Sequence, residues 1–148
     1  MFAILRINTA TGASKTESFD SKEFLLGGRT LSSRLVSREI PAGCDPLGKH
    51  NKLFFCNGVL AGTTVSSANR LSIGGKSPLT GGIKESNAGG IVGQRMAEHG
   101  LRALILEDSP AAGSDWKIVV IGKKKTELVD GKFLAGKGVY EKSDLLAR

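Results

Sequence analysis

A glycine-rich stretch, residues 76–93, carries the residue types in this chain that are best suited to binding an anion. It reads KSPLTGGIKESNAGGIVG, and seven of its eighteen residues are Gly, Pro or Asn. Glycines allow positive φ angles and let another group approach closely. The stretch leads into a helix pattern at residues 94–100, so unpaired N–H groups and a helix dipole would face a bound phosphate. The alternative is a tight surface loop, and in either case we expect no regular element inside the stretch.

Composition and charge limit the classes of molecule that this chain is expected to bind. The 148 residues are 40% hydrophobic and 24% charged, values typical of an ordered domain. The net charge of +7 would suit nucleic acid, an anionic membrane or an anionic ligand. However, the basic residues are dispersed, their one tight run at residues 123–125 lies at a predicted hairpin turn, and only 5% of residues are aromatic. Because base stacking needs aromatic side chains, we expect no nucleic-acid partner.

The cysteine and histidine residues form no metal-binding pattern. Cys44 and Cys56 are not arranged as C-x-x-C, so they predict neither a zinc nor an iron–sulfur site. A disulfide between them is one alternative, and buried reduced thiols are the favoured one. His50 and His99 are predicted to be surface or capping residues. No run approaches the ~20 apolar residues that span a bilayer, and no signal peptide is evident, which predicts a cytoplasmic protein without a membrane partner.

The elements that would position the glycine-rich stretch follow from hydrophobic periodicity. Strands are predicted at residues 2–8, 13–19, 53–56, 70–75, 101–107, 116–121 and 126–129. Helices are predicted at residues 21–38, 94–100 and 140–148, with Asp20 and Glu23 as a capping box for the first. Hairpins dominate and regular βαβ alternation is absent, so we predict an α+β fold with two or three helices.

Several short motifs follow one another in a distinctive order along nearly the whole chain. They are GGR at 27–29, DPL at 45–47, NKL at 51–53, GVLAGT at 58–63, Arg70, KSPLTG at 76–81, SNAGG at 86–90 and GK at 136–137 with YE at 140–141. The most specific of them is the SPLTG block followed by N-x-G-G. In this order the motifs resemble the N-terminal domain of the tungsten-containing aldehyde ferredoxin oxidoreductase family.

The resemblance implies a single domain, residues 1–148, with two mainly antiparallel β-sheets that support a tungsten or molybdenum bis-pyranopterin cofactor. In that family an arginine and an Asn-x-Gly segment contact the pterin phosphates, and the asparagine helps to hold a magnesium ion between them. By motif, the cofactor contacts fall on Arg70, Asn87, Ala88 and Gly89, and the metal contact falls on Asn87. An arginine fork and backbone N–H groups suit phosphate oxygens. A salt bridge for Arg70 and an Asx turn for Asn87 are the structural alternatives.

The resemblance further implies oxidation of aldehydes to carboxylic acids, with electrons passing through a 4Fe–4S cluster to ferredoxin. The cluster's C-x-x-C-x-x-x-C motif and the family's catalytic residues do not occur in these 148 residues. We therefore expect a subunit or N-terminal portion of such an oxidoreductase, without catalytic residues and with a partner chain that carries the remaining domains. The alternative is a stand-alone, non-catalytic module that binds pterin or phosphate.

Overall fold

The computed structural model describes residues 2–18, 25–111, 113–123 and 125–147. The chain divides into two compact units, Met1–Ser109 and Pro110–Arg148. The elements described in the first unit are β1 (Ala3–Asn8), β2 (Ser14–Ser18), α1 (Gly28–Glu39), β3 (Leu53–Asn57), β4 (Leu71–Lys76), β5 (Ile83–Ala88), α2 (Val92–Glu98) and β6 (Leu101–Glu107).

The first unit is built on one six-stranded sheet with the strand order β2-β1-β6-β3-β4-β5. Neighbouring strands are antiparallel except for β1 and β6, which are parallel. The strand β5 therefore lies at an edge of the sheet, next to β4. Among the described residues, none of the helices is long and apolar enough to cross a membrane.

The helix α1 packs against one face of this sheet and forms the core with it. Leu31 and Leu35 project from α1 with no exposed surface, and they join Phe54 of β3 and Ile105 of β6 in one apolar cluster. Each such side chain contributes about 1.5–3 kcal/mol through burial. The cluster includes residues of β3, which lies next to β4, and the predicted phosphate-binding residues lie at the β4–β5 pair.

The structure corrects the start of the first helix. The expected helix at residues 21–38 is wrong at residues 25–27, because α1 begins at Gly28 and Gly27 is extended. A Cβ atom at Gly27 would lie 2.7 Å from the backbone nitrogen of Val59, so this position needs glycine for close approach rather than for a helix interior. The predicted capping box of Asp20 and Glu23 lies outside the described residues.

The structure also corrects the expectation for the glycine-rich stretch. Residues 76–93 do contain a regular element, because β5 pairs with β4 from Ile83 to Ala88. A turn makes this hairpin possible: the N–H of Ser77 donates to the carbonyl of Gly82 at 2.8 Å, and Gly81 has a φ of +70°. Polar residues are tolerated in β5 because an edge strand leaves much of its surface in water.

The second unit holds a two-stranded antiparallel sheet of β7 (Lys117–Ile121) and β8 (Thr126–Asp130), a short 3₁₀ helix (Lys132–Leu134) and α3 (Val139–Leu146). The Nζ atom of Lys142 lies 4.8 Å from the centre of the Trp116 ring, an attractive cation–π distance. The hairpin predicted around residues 123–125 is present. With the larger sheet, it confirms the predicted α+β fold with two mainly antiparallel sheets.

A cluster of charged side chains closes the carboxyl end of α1, and we name it the Arg6 cluster: Arg6, Glu17, Glu39, Lys52 and Glu107. Arg6 donates hydrogen bonds to Glu17 at 2.8 Å and to both oxygens of Glu39 at 2.8 and 2.7 Å. Lys52 Nζ lies 3.0 Å from carboxylate oxygens of both Glu39 and Glu107. Desolvation alone would raise the pKa of Glu39, but the hydrogen bonds from Arg6 and Lys52 outweigh it and lower that pKa to about 2.

This pKa shift predicts a loss of stability in acid. The folded pKa of Glu39 lies below its ordinary value of 4.5, so its contribution is present above pH 4.5 and is lost as the pH falls toward about 2. At most about 3 kcal/mol of unfolding free energy is linked to this shift. Urea denaturation from pH 7 to pH 2 should show the stability gap between the wild type and Glu39→Gln narrowing below pH 4.5. A gap that stays constant would contradict the assignment.

Candidate phosphate-binding site

The four residues predicted to contact phosphate come together at one end of the β4–β5 hairpin. Asn87 and Ala88 are the last residues of β5, and Gly89 follows them. The strand register places Leu71 opposite Ala88, so Arg70 and Gly89 lie next to each other just beyond the paired residues. All four predicted residues are exposed. The structure thus brings together every side chain and glycine that was named from sequence for this site.

One hydrogen bond holds the Arg70 side chain across the end of β5. Its Nε donates to Asn87 Oδ1 at 2.5 Å, and its Nη1 lies 3.8 Å from the position that a Cβ atom at Gly89 would take. In the described part of the chain, its two Nη groups make no hydrogen bond or salt bridge. An exposed guanidinium with free Nη groups can bind two phosphate oxygens at once.

The backbone after β5 adds further donors. Gly90 has a φ of +100°, a conformation that favours glycine, and it turns the chain from β5 toward α2. Within the described ranges, the N–H groups of Gly89 and Gly90 have no hydrogen-bond partner. Ala88 pairs with Leu71 in the sheet. We therefore expect Ala88 to contribute less to ligand binding than the two glycines that follow it. The arrangement combines a guanidinium with backbone N–H groups, as anion sites commonly do.

A second layer of residues holds the Arg70 backbone in place. The carbonyl of Arg70 accepts a hydrogen bond from the N–H of Gly58 at 3.2 Å. The side chain of the preceding residue, Asn69, accepts a hydrogen bond from the N–H of Gly62 at 2.9 Å. A Cβ atom at Gly93 would lie only 2.6 Å from the Asn69 carbonyl oxygen, so α2 packs closely on the same segment.

Sequence reasoning missed two residues of this site, Asn69 and Ser72. Ser72 is 1% exposed, and its Oγ accepts a hydrogen bond from Asn87 Nδ2 at 3.2 Å. A small polar residue at an inward position of the β4 pattern is the signal that could have identified Ser72. Asn69 has no comparable signal, because its contacts with Gly62 and Gly93 depend on how the loop after β3 and the helix α2 pack.

The favoured predictions for the cysteine and histidine residues are confirmed except at Cys44, which is not fully buried. Cys56 is fully buried, and burial raises the pKa of its thiol to about 12, so it is unreactive. Cys44 is half-buried, and both cysteines are free thiols. His50 is exposed and His99 caps the carboxyl end of α2. Among the described residues, no group of three or more His, Cys, Asp or Glu side chains could hold a metal ion.

Comparison with known proteins identifies relatives along almost the entire chain. Residues 4–148 match the family model described as aldehyde ferredoxin oxidoreductase, N-terminal domain. The tungsten-containing aldehyde ferredoxin oxidoreductase of Pyrococcus furiosus is 32% identical over 93% of this chain, and that of Thermococcus kodakarensis is 36% identical over 93%. The chain spans only 22% of the length of each of these two relatives.

A solved structure supports the fold independently. The active site complex BamBC of benzoyl coenzyme A reductase, in complex with 1,5-dienoyl-CoA, matches 97% of this chain with a TM-score of 0.89. This chain covers 22% of that structure's chain at 24% sequence identity, so the similarity bears on the fold alone. Together, the family match and the relatives show that the chain belongs to the aldehyde ferredoxin oxidoreductase family, to whose N-terminal domain it corresponds.

Proposed function

We propose that residues 1–148 act as a single cofactor platform in an aldehyde-oxidising enzyme and bind the phosphate groups of its pterin cofactor. The assembled enzyme would oxidise aldehydes to carboxylic acids and pass electrons through a 4Fe–4S cluster to ferredoxin, in the cytoplasm. The observation that supports this proposal most is the convergence of Arg70, Asn87 and Gly89 at one exposed strand end in a chain of this family.

The residues present fit a phosphate group. The Nη groups of Arg70 supply charged donors, and the N–H groups of Gly89 and Gly90 supply neutral ones. All of these groups lie on an exposed surface, so a phosphate can reach them without displacing a side chain. The net charge of +7 adds a favourable long-range field for an anion.

Fewer of the residues at this site fit a magnesium ion than fit a phosphate. Magnesium prefers oxygen ligands, and at this end of the sheet Asn87 Oδ1 is the side-chain oxygen that we propose for it. That oxygen already accepts a hydrogen bond from Arg70, but an amide oxygen has a second lone pair. We propose that Asn87 contributes one ligand and that phosphate oxygens and groups outside these residues contribute the others.

We propose that a bound bis-pyranopterin with tungsten or molybdenum would supply the redox chemistry; the names of the relatives mention tungsten. The role that we propose for this chain is to bind and orient the phosphates of the cofactor. The cluster would be held outside this chain, because Cys56 is buried with a raised pKa and Cys44 is a single half-buried thiol. We accordingly assign no catalytic residue to the chain.

Exposed apolar side chains around the site support a protein partner. Four of them lie in the two segments that pack around Asn69, namely the loop after β3 and the start of α2: Leu60, Val65, Ile91 and Val92, each at least half exposed. Large apolar side chains left exposed in neighbouring segments commonly mark an interaction site. We propose that the remaining domains of the oxidoreductase, on a partner chain or on the same polypeptide, cover this surface.

The second candidate function is a stand-alone module that binds pterin or phosphate without redox activity. It is favoured by the fact that Arg70, Asn87 and Gly89 form their contacts with residues of this chain. Such a module would bind phosphate compounds equally well with or without the partner. The enzyme proposal differs because it requires metal to accumulate in a complex.

The test is metal analysis of a complex with a protein that carries C-x-x-C-x-x-x-C and the remaining family domains. We expect tungsten or molybdenum together with iron in the wild-type complex. Arg70→Ala should lower the tungsten or molybdenum content at least tenfold and leave iron unchanged, because removing a charged hydrogen-bond donor costs about 1.5–3 kcal/mol or more. Arg95→Ala is the matched control, since Arg95 is exposed and pairs with Glu98 on α2.

If the wild-type complex contained neither iron nor tungsten or molybdenum, the enzyme proposal would be contradicted and the second candidate function, the stand-alone binding module, would be favoured. Equal loss of metal in Arg70→Ala and Arg95→Ala would show that net charge, not the Arg70 site, retains the cofactor.

A further inference from the structure

A chain of hydrogen bonds runs from the buried side of the sheet to the exposed Arg70 side chain. Ser72 and Asn87 are direct cross-strand partners in β4 and β5, and Asn87 Nδ2 donates to Ser72 Oγ at 3.2 Å. Asn87 Oδ1 in turn accepts from Arg70 Nε at 2.5 Å. Each link joins residues that side-chain geometry places within reach across an antiparallel pair.

The donors and acceptors in this chain permit only one orientation of the Asn87 amide. An arginine Nε–H can only donate, so the Asn87 atom that faces it must be Oδ1. The amide nitrogen then faces Ser72, whose hydroxyl oxygen accepts. If the amide flipped, two donors would face each other at the Arg70 contact, and the guanidinium would lose its anchor.

The surroundings of Ser72 explain why a hydroxyl is present at this buried position. Ser72 is 1% exposed, and its Oγ lies 3.5 Å from the position that a Cβ atom at Gly28 would take, at the start of α1. Glu85 lies two residues before Asn87 in β5, and its carboxylate accepts a hydrogen bond from Arg29 Nε at 3.0 Å. The Ser72 hydroxyl, and after it Arg29, lower the pKa of Glu85.

We propose that Ser72 is a positioning residue for the phosphate site: by accepting a hydrogen bond from Asn87 Nδ2 it restrains that side chain, which in turn holds the Arg70 guanidinium beside Gly89. Ser72 does not touch the ligand, because it is buried beneath Asn87. Its effect on binding passes through Arg70. The inference rests on the proposed phosphate-binding function.

The test combines an affinity measurement with a spectroscopic one, both on the full 148-residue chain. Inorganic pyrophosphate is the probe for calorimetric titration, and the side-chain Nε–H signal of Arg70 is followed by nuclear magnetic resonance and assigned by its loss in Arg70→Ala. We expect Ser72→Ala to weaken pyrophosphate binding about threefold to tenfold, the scale of one hydrogen bond. Its Nε–H signal should broaden or shift while the backbone spectrum is retained. Ser86→Ala, an exposed serine beside Asn87 in β5, should change neither measurement.

A double-mutant comparison separates positioning from a merely structural role. If Ser72 acts through Arg70, the double variant Ser72→Ala, Arg70→Ala should bind pyrophosphate no more weakly than Arg70→Ala alone. Additive losses would overturn the inference. Ser72→Cys, whose slightly larger thiol accepts hydrogen bonds weakly, gives the same comparison if Ser72→Ala does not fold.

The two proposals can fail separately. If Arg70→Ala weakens binding and Ser72→Ala changes neither the affinity nor the Nε–H signal, the positioning role is wrong and the proposed function stands. If Arg70→Ala leaves the affinity unchanged, the proposed function fails at this site, and the Nε–H signal alone decides whether Ser72 positions Arg70.

Discussion

The Gly93→Ala variant is expected to lose at least about 2 kcal/mol of unfolding free energy, because its methyl group has no space. The added Cβ atom would lie 2.6 Å from the carbonyl oxygen of Asn69 and 3.2 Å from Asn57 Oδ1. The first of these is a backbone atom and cannot rotate away. Asn57 is 1% exposed, and its Oδ1 has no hydrogen-bond partner among the described residues, so compression there cannot be relieved by solvent.

The expected structural response connects this variant to the candidate site. To relieve the clash, α2 must move away from Asn69, and Asn69 directly precedes Arg70. Gly93→Ala should therefore weaken pyrophosphate binding as well as stability. The free energy of unfolding is measured by urea denaturation, and affinity by calorimetric titration at a temperature where the variant is folded.

Gly43→Ala is the matched control for this prediction. A Cβ atom at Gly43 would meet no atom within 4 Å, and its φ is not in the left-handed region. Such a substitution is expected to be neutral or to stabilise slightly, because it reduces the entropy of the unfolded chain. If Gly93→Ala and Gly43→Ala had the same stability, the close packing of α2 on Asn69 would be contradicted.

The Arg6→Ala variant is the second change with a large expected effect, a loss of about 2–4 kcal/mol. Arg6 is the cation shared by three carboxylates, with contacts of 2.8 Å to Glu17, 2.7 Å to Glu39 and 3.4 Å to Glu107. The Glu39 side chain is only 13% exposed, so its charge would remain poorly solvated with Lys52 as its main partner. Removing one member of such a cluster costs more than the net contribution of the intact cluster.

Lys15→Ala provides the contrast for Arg6→Ala. Lys15 also pairs with Glu17, at 3.1 Å, but its side chain is 74% exposed. Exposed pairs contribute about 0–1 kcal/mol, so this variant should be close to wild type in urea denaturation. The difference between Arg6→Ala and wild type should also shrink as the pH falls from 4.5 toward about 2, because Arg6 lowers the folded pKa of Glu39 and Glu17 and the linked stability is lost over that range. Equal stability of the two variants at pH 7 would show that burial does not strengthen the Arg6 cluster.

The sequence by itself determined the family, the fold class and the residues proposed for the site. The order of the SPLTG and N-x-G-G motifs was sufficient for the family, and the match over residues 4–148 confirms it. Arg70, Asn87 and Gly89 were named by motif, and the structure brings them together. The strands with apolar periodicity were predicted correctly because that periodicity is a local property of the chain.

Only the tertiary structure decided how those residues are held. The strand β5 has polar, exposed residues and no apolar alternation, so its pairing with β4 could not be read from local pattern. The same holds for the start of α1, where the contact of Gly27 with Val59 overrides a helical pattern. The contacts of Ser72 with Asn87 and of Gly93 with Asn69 join residues that are distant along the chain. Such contacts depend on strand register and helix packing, and the physical reason they escaped prediction is that local propensity carries no information about either.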